Sequence, residues 1–352
     1  MNRTAFRLPA EWEPQDAILV AWPHAGTDWA PRLPEVEIAY VALVSAIARF
    51  ERVVICVADP DLRRRAGRQL AAAGVQPSQV HFVELAYDDT WLRDSGPVTL
   101  VDESRGRFLL DDFRFTGWGG KYAAERDDAL IDGLQSAGLF AAADHQRIEF
   151  ALEGGAIEAD GHGSLLTTWR CLHQRHPRME RSAIESRLRQ TLHATRVLWL
   201  EHGYLEGDDT DAHIDTLARF APDGSIVYQG CDVTADPHHA ELARMRDELA
   251  SLRDGLGAPY PLRPLPWAQP VRDGDRRLAA SYANYLVVNG GVLVPAYGDP
   301  ADAAAAAVVG DAHPGRTVVQ IPCRPLIWQN GSLHCVTMQL PRGVLAWRHP
   351  AL

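Results

Sequence analysis

Glu153-Gly154-Gly155-Ala156-Ile157, Asn289-Gly290-Gly291-Val292-Leu293 and Asn330-Gly331-Ser332-Leu333 place one element at three points of a 352-residue chain. Each is a glycine-rich turn that feeds an apolar strand. Two readings follow. The first is ordinary hairpin chemistry: Asp223-Gly224 between residues 217–221 and 226–229, and Asn289-Gly290 between 285–288 and 292–295, suit two-residue loops. The second is a repeated β-β-α-β unit that closes into a propeller-like ring with a central site. Periodicity alone leaves both open and leans towards the first.

Outward from these turns, strand-like runs cover residues 17–22, 52–58, 80–85, 147–151, 196–200, 226–229, 285–288 and 317–321. Amphipathic stretches of helical length lie between them at 35–50, 61–73, 124–139, 178–193 and 236–252. The alanine-rich run after Asp299-Pro300 starts another helix. Strands and helices mix along the whole chain, which sets the class as α/β. No linker divides it, so one domain over residues 1–352 is expected.

Composition narrows the function. The net charge is −11, which disfavours a nucleic-acid binder and suits a cationic small molecule. No apolar run reaches the length of a membrane span, and the polar stretch 1–13 does not read as an export signal. A cytoplasmic location is the default expectation. Five cysteines without a C-x-x-C pair exclude a disulfide framework and a zinc ribbon. No P-loop, G-x-G-x-x-G, H-E-x-x-H or G-x-S-x-G occurs.

Three segments concentrate chemistry. Asp88-Asp89-Thr90-Trp91-Leu92-Arg93-Asp94-Ser95-Gly96-Pro97 sets carboxylates around an indole, a combination that takes a planar cation by charge-assisted hydrogen bonds and cation–π attraction. In Asp209-Thr210-Asp211-Ala212-His213-Ile214-Asp215 the alternation puts Asp211, His213 and Asp215 on one face of a strand. A carboxylate beside a histidine makes a proton-transferring base. The same pattern also suits two manganese ions in a ureohydrolase, with Asp273-Gly274-Asp275 as the nearest partner motif. Cys335 sits just inside an expected strand after Gly331, where it is either a buried hydrophobe or a nucleophile. The preceding His334 then points to the opposite face.

Taken in chain order, these tracts resemble the agmatine deiminase family, related to bacterial peptidylarginine deiminases within the guanidine-modifying pentein superfamily. The resemblance also rests on Pro9-Ala10-Glu11-Trp12-Glu13-Pro14-Gln15, Ala21-Trp22-Pro23-His24, Trp118-Gly119-Gly120-Lys121-Tyr122, Leu152-Glu153-Gly154-Gly155, Ala280-Ser281-Tyr282-Ala283-Asn284 and Pro295-Ala296-Tyr297-Gly298-Asp299-Pro300. It implies a five-bladed α/β propeller with pseudo-fivefold symmetry. It further implies Cys335 as nucleophile, His213 as acid/base, Asp94 and Asp215 as guanidinium-holding carboxylates, and Glu153 as support for the histidine. Trp91, Asp88, Asp209 and Trp118 complete the expected substrate-binding set. Ser332 and Ala212 depart from the family pattern, which expects Asn or Gly and Gly at those positions.

The expected reaction is hydrolysis of agmatine to N-carbamoylputrescine and ammonia through a cysteine thiouronium, with no metal and no organic cofactor. The rivals are deimination of peptidylarginine or another guanidine, amidino transfer through the same cysteine, the manganese ureohydrolase, and a silent binding module. Neither nucleic acid nor a membrane is an expected partner. A homodimer is the expectation for an enzyme of this size.

Overall fold

A computed structural model describes residues 6–104, 106–140 and 143–346; residues 1–5 of the polar N-terminal stretch lie outside these. Five sheets of three or four strands, and one two-stranded hairpin, carry the chain. Their construction is the same each time: an antiparallel pair, then a helical crossover that adds a strand parallel to the second.

Val98–Asp102 and Arg107–Arg114 are antiparallel, and Asp144–Ala151 is parallel to the latter. The next sheet repeats this with Ile157–Ala159, Ser164–Thr168 and Arg196–Leu200. Ala218–Phe220, Ile226–Gln229 and Leu262–Leu265 follow. Leu286–Val288, Gly291–Ala296 and Thr317–Pro322 form the fourth copy. The fifth joins distant segments: Met338–Pro341 pairs antiparallel with Gln15–Ala21, which carries Arg52–Val57 and Val80–Glu84 in parallel. The expected α/β class is therefore what the chain adopts.

Burial falls from the first strands of each unit to the last. Every residue of Gln15–Ala21, Val98–Asp102 and Ser164–Thr168 is buried, whereas Val80–Glu84 and Thr317–Pro322 are largely half-exposed or exposed. The antiparallel strands thus occupy the interior and the crossover helices cover the outside. Sequence explains the crossovers locally. Asp59 caps Pro60–Ala72 by accepting the Leu62 N–H at 2.7 Å, with Pro60 at the first helical position. Such a cap contributes about 1 kcal/mol. The alanine-rich helix expected after Asp299-Pro300 runs over Asp302–Ala312. Gly290 takes φ +71° in the Asn289-Gly290 turn, a conformation a side chain resists.

Three expectations change. The single helix over 124–139 is two, Glu125–Asp128 and Leu130–Ser136. Asp127 and Asp128 turn to accept backbone N–H groups of Asp88, Asp89 and Phe115. The stretch 211–215 is not a strand. Asp211 and Ala212 take φ of +67° and +72°, and Ile214–Thr216 is a 3-10 turn. The cause is Asp208, whose carboxylate accepts the N–H of Thr210 at 3.0 Å and of Ala212 at 2.7 Å, curling the loop on itself. Residues 333–336 form a turn, and the strand begins only at Met338. Here the Asn284 side chain takes the N–H of His334 that a ladder would have used.

No helix among the described residues is long and apolar enough to cross a membrane.

Candidate active site

The inner ends of several sheets bring five titratable side chains around the backbone of Gly155. Asp94, on the short helix Leu92–Ser95, accepts the Gly155 N–H at 3.0 Å and the Trp118 Nε1–H at 2.9 Å. Glu153 precedes the turn Gly154–Ala156 and accepts from Arg175 Nε at 2.7 Å. His213 lies between them, its Nδ1 3.6 Å from Asp94 Oδ1 and its Nε2 3.5 Å from Glu153 Oε2. Asp215 accepts from Asn284 Nδ2 at 3.2 Å, and Cys335 Sγ stands 3.8 Å from Asp215 Oδ2 and 3.4 Å from Asn284 Oδ1. None of the five is more than 5% exposed.

Gly155 is required by space. A Cβ there would stand 2.7 Å from His213 Nδ1, 2.8 Å from Asp94 Oδ1 and 3.2 Å from Asp215 Oδ2. Gly331 has the same duty towards Trp91, whose ring a Cβ would meet at 2.2 Å. The two Gly-rich tracts thus let the backbone approach the carboxylates on one side and an indole on the other.

Electrostatics set the protonation states. Burial pushes the Asp94 carboxyl up to about 6, although the His213 charge opposes it. Burial acts on Glu153 too, but the His213 ring at 3.5 Å and the charge of Arg175 outweigh it, leaving Glu153 below the usual range. Asp215 is likewise lowered against its burial, chiefly by His334. His213 is held well above an ordinary imidazole: burial opposes its charge, but Asp94, Cys171 and Glu153 outweigh it. Burial, with the Asp215 and Asp94 charges, raises the Cys335 thiol well above its usual value. The resting centre is a thiol, an imidazolium and carboxylates with room for another cation.

Several polar atoms of the centre are unmatched. Both ring nitrogens of His213, Glu153 Oε2 and Asp215 Oδ1 are buried and make no hydrogen bond among the described residues. Leaving such groups unmatched costs about 1–3 kcal/mol each; Glu153 Oε2 and Asp215 Oδ1 call for N–H donors, while the His213 imidazolium has protons to give. The access is a cavity of about 270 Å³ lined by Trp91, Asp94, Trp118, Trp328, Asp89 and Cys335, among others.

Of the expected set, Cys335, His213, Asp94, Asp215 and Glu153 converge, and Trp91 and Trp118 flank them. Asp209 lines the cavity but is engaged by Tyr122 Oη at 2.5 Å and Lys121 Nζ at 3.3 Å. Asp88 does not reach it; its carboxylate accepts the Arg126 N–H at 2.9 Å, and its neighbour Asp89 takes the place. Sequence reasoning passed over Asn284 and His334. Strand alternation set the second apart from Cys335 and it does lie outside the Cys335 cavity, but it reaches Asp215 Oδ2 at 2.8 Å, a contact that its adjacency to Cys335 could have signalled.

The manganese alternative does not assemble. Asp211 is turned away to Arg175 Nη1 at 2.7 Å and Lys121 Nζ at 2.9 Å, and Asp273 pairs with Arg32 at 2.8 Å. A different trio, Glu153, Cys171 and His213, has ligand atoms within 4.8 Å of one another, but these are groups of the centre just described.

Comparison with known proteins identifies the family to which this fold belongs. Residues 7–341 match the family described as Porphyromonas-type peptidyl-arginine deiminase. An agmatine deiminase of Stutzerimonas stutzeri is 34% identical over 97% of this chain and 96% of its own. A crystal structure of a Porphyromonas gingivalis protein, provisionally named an arginine deiminase, is 44% identical and superposes with a TM-score of 0.88 over 97% of this chain and 99% of that one. A C. jejuni agmatine deiminase solved with substrate bound is 30% identical, with a TM-score of 0.87 over 96% and 97%.

Proposed function

Because the chain belongs to the Porphyromonas-type peptidyl-arginine deiminase family, we propose that its buried centre hydrolyses agmatine to N-carbamoylputrescine and ammonia. One observation carries the reading: a thiol, an imidazole and three carboxylates form one buried cluster, with unmatched acceptors on Glu153 and Asp215 and with Asp94 and Cys335 lining a cavity. The five sheets are the blades of a pseudo-fivefold propeller, a single catalytic domain over 1–352. What supports this is their common pairing pattern and the return of Met338–Pro341 to Gln15–Ala21. A homodimer is the expected working form, checked by light scattering after size exclusion.

The chemistry follows from the charges. A guanidinium carbon is a poor electrophile because resonance spreads its charge. Asp94 and Asp215 hold its NH₂ groups, fixing the carbon near Cys335 Sγ and replacing lost water. The incoming cation offsets the carboxylates that raise the thiol, so the Cys335 proton leaves to solvent as substrate enters. The thiolate forms a C–S bond, and His213 gives its proton to the departing nitrogen, which leaves as ammonia. Neutral His213 then takes a proton from water. The hydroxide adds to the thiouronium carbon, the C–S bond breaks to return the thiolate, and the hydroxyl proton passes to solvent as the neutral ureido product is released. Glu153, anchored by Arg175, keeps the imidazole in register through both proton transfers.

A second substrate has its own observation. Arg276 lines the cavity, where it donates to Asn330 Oδ1 at 2.9 Å, and it offers a partner for the carboxylate of arginine. Product analysis separates the readings. N-carbamoylputrescine and ammonia from agmatine, indifferent to chelators, are the expected result. Citrulline from arginine at a higher kcat/KM assigns the second substrate, while urea with putrescine removes the thiol route.

A further inference from the structure

The N-terminal tract Pro9–Gln15 has no place in the mechanism above, yet Glu11 is 6% exposed and lies beneath the active site. Its Oε2 is 2.6 Å from His334 Nε2 and 2.8 Å from Arg219 Nη2, and 3.7 Å from Arg93 Nη2. On the other side of the same ring, His334 Nδ1 is 2.8 Å from Asp215 Oδ2. An imidazole with a carboxylate at hydrogen-bond distance from each nitrogen satisfies both only by donating from both, and so carries a positive charge. His334 is 1% exposed and does not line the Cys335 cavity; with Glu11, Arg93 and Glu158 it borders a separate small pocket.

We propose that His334 is a positioning residue for the reaction: a buried imidazolium that holds Asp215 from behind and is itself held by Glu11. The inference rests on the guanidinium clamp assigned to Asp215. It gives the N-terminal tract a purpose, since Glu11 supplies the acceptor without which the imidazolium has no second anchor. Glu11 in turn takes its own compensation from Arg219, whose Nε also donates to Glu158 Oε2 at 2.7 Å. The groups facing this chain are Asp94, His213, Cys335 and Asn284 on the Asp215 side, and Arg93, Arg219 and Glu158 on the Glu11 side.

The charge order makes the effect distinguishable from packing. Without the imidazolium, the Asp215 carboxyl loses its main stabilising donor and rises, so it titrates alongside Asp94. His334→Gln should then lower kcat/KM for agmatine about 10-fold to 100-fold near pH 7, with recovery as pH rises and an acid limb moved up by about one unit or more. Glu11→Gln added to His334→Gln should restore part of the loss, because it removes a like charge and leaves Arg93 and Arg219 to favour the Asp215 anion. A packing role predicts the reverse: a uniform loss at all pH values and a double variant worse than the single one. The wild-type protein supplies a test that needs no variant to fold and no substrate: ¹⁵N spectra of His334 should show both ring nitrogens protonated near pH 7. A singly protonated His334, an unmoved acid limb, or no rescue by Glu11→Gln each overturns the proposal. Wild-type turnover of agmatine, measured separately, shows whether the reaction reading itself stands.

Discussion

Glu153-Gly154-Gly155 and Asn289-Gly290-Gly291 share one sequence pattern, yet the first coils as a 3-10 helix ahead of a strand, the second is a hairpin turn with Gly290 at φ +71°, and they do opposite work. In the first, the residue before the glycines is an ion held by Arg175, and Gly155 admits His213, Asp94 and Asp215 to within a Cβ's reach. In the second, Asn289 exchanges hydrogen bonds with the Gln15 backbone at 3.1 and 2.9 Å, sewing one sheet to the next. Gly291 there admits only the Phe50 ring, 2.8 Å from where a Cβ would stand. A repeated sequence pattern therefore fixes neither backbone shape nor use. The side chain before the glycines, and what the missing Cβ leaves room for, decide whether a copy is a seam or a centre.

The third copy, Asn330-Gly331, carries the nucleophile and gives the hardest test of that division. Cys335→Ala should remove at least about 10⁴-fold of turnover while leaving the melting temperature near wild type. Next come the clamp residues. Asp94→Asn and Asp215→Asn should each cost about 2–4 kcal/mol of transition-state binding, roughly 30-fold to 1,000-fold in kcat/KM, unrepaired by manganese. A loss confined to Asp215 and rescued by metal would return the manganese reading.

The paired glycines address the comparison directly. Gly155→Ala should lower kcat/KM about 100-fold through displaced reacting groups. Gly291→Ala should instead destabilise the fold by about 1–3 kcal/mol through overpacking, at unchanged kcat/KM for the folded fraction. Equal effects of both on activity, compared with denaturant melts, would erase the distinction between seam and centre.

Acid should act on the centre before the seam. Only ionised Asp94 offsets a guanidinium, and its carboxyl is pushed up to about 6. Below that value kcat/KM should fall about tenfold per pH unit while circular dichroism stays native. The smallest effect belongs to Ala212, held at φ +72°. Ala212→Gly relieves the left-handed strain, but the more flexible unfolded chain offsets part of the gain. A rise in stability of less than about 1 kcal/mol, with unchanged kinetics, is expected from thermal melts.

Much of this was legible before any coordinates. Hairpin turns, apolar strands and helical crossovers gave the class because each is a local preference. The centre was legible only as an ordered set of tracts, since spacing cannot say that Asp94 and Asp215 meet across Gly155. Local rules failed where a side chain claims the backbone. Asp208 curls 211–215 and parts Asp211 from His213, and Asn284 denies 333–336 a ladder. Both failures fall at the centre, where polar side chains outcompete strand pairing. Asp88 was chosen over Asp89 for a related reason: which of two adjacent carboxylates faces the cavity depends on Asp127, which accepts the N–H of both.

Met338–Pro341 closes on Gln15–Ala21, joining the two ends of the described chain only a few residues beyond Cys335. The nucleophile thus cannot be seated until Gln15–Ala21 accepts Met338–Pro341. Such a long-range closure is slow by the statistics of contact order. A nascent chain can bury most of its apolar interior and still be chemically silent. The thiol meets His213 and its carboxylates only once that strand pair has formed, so the reactive centre is assembled by the same event that seals the fold.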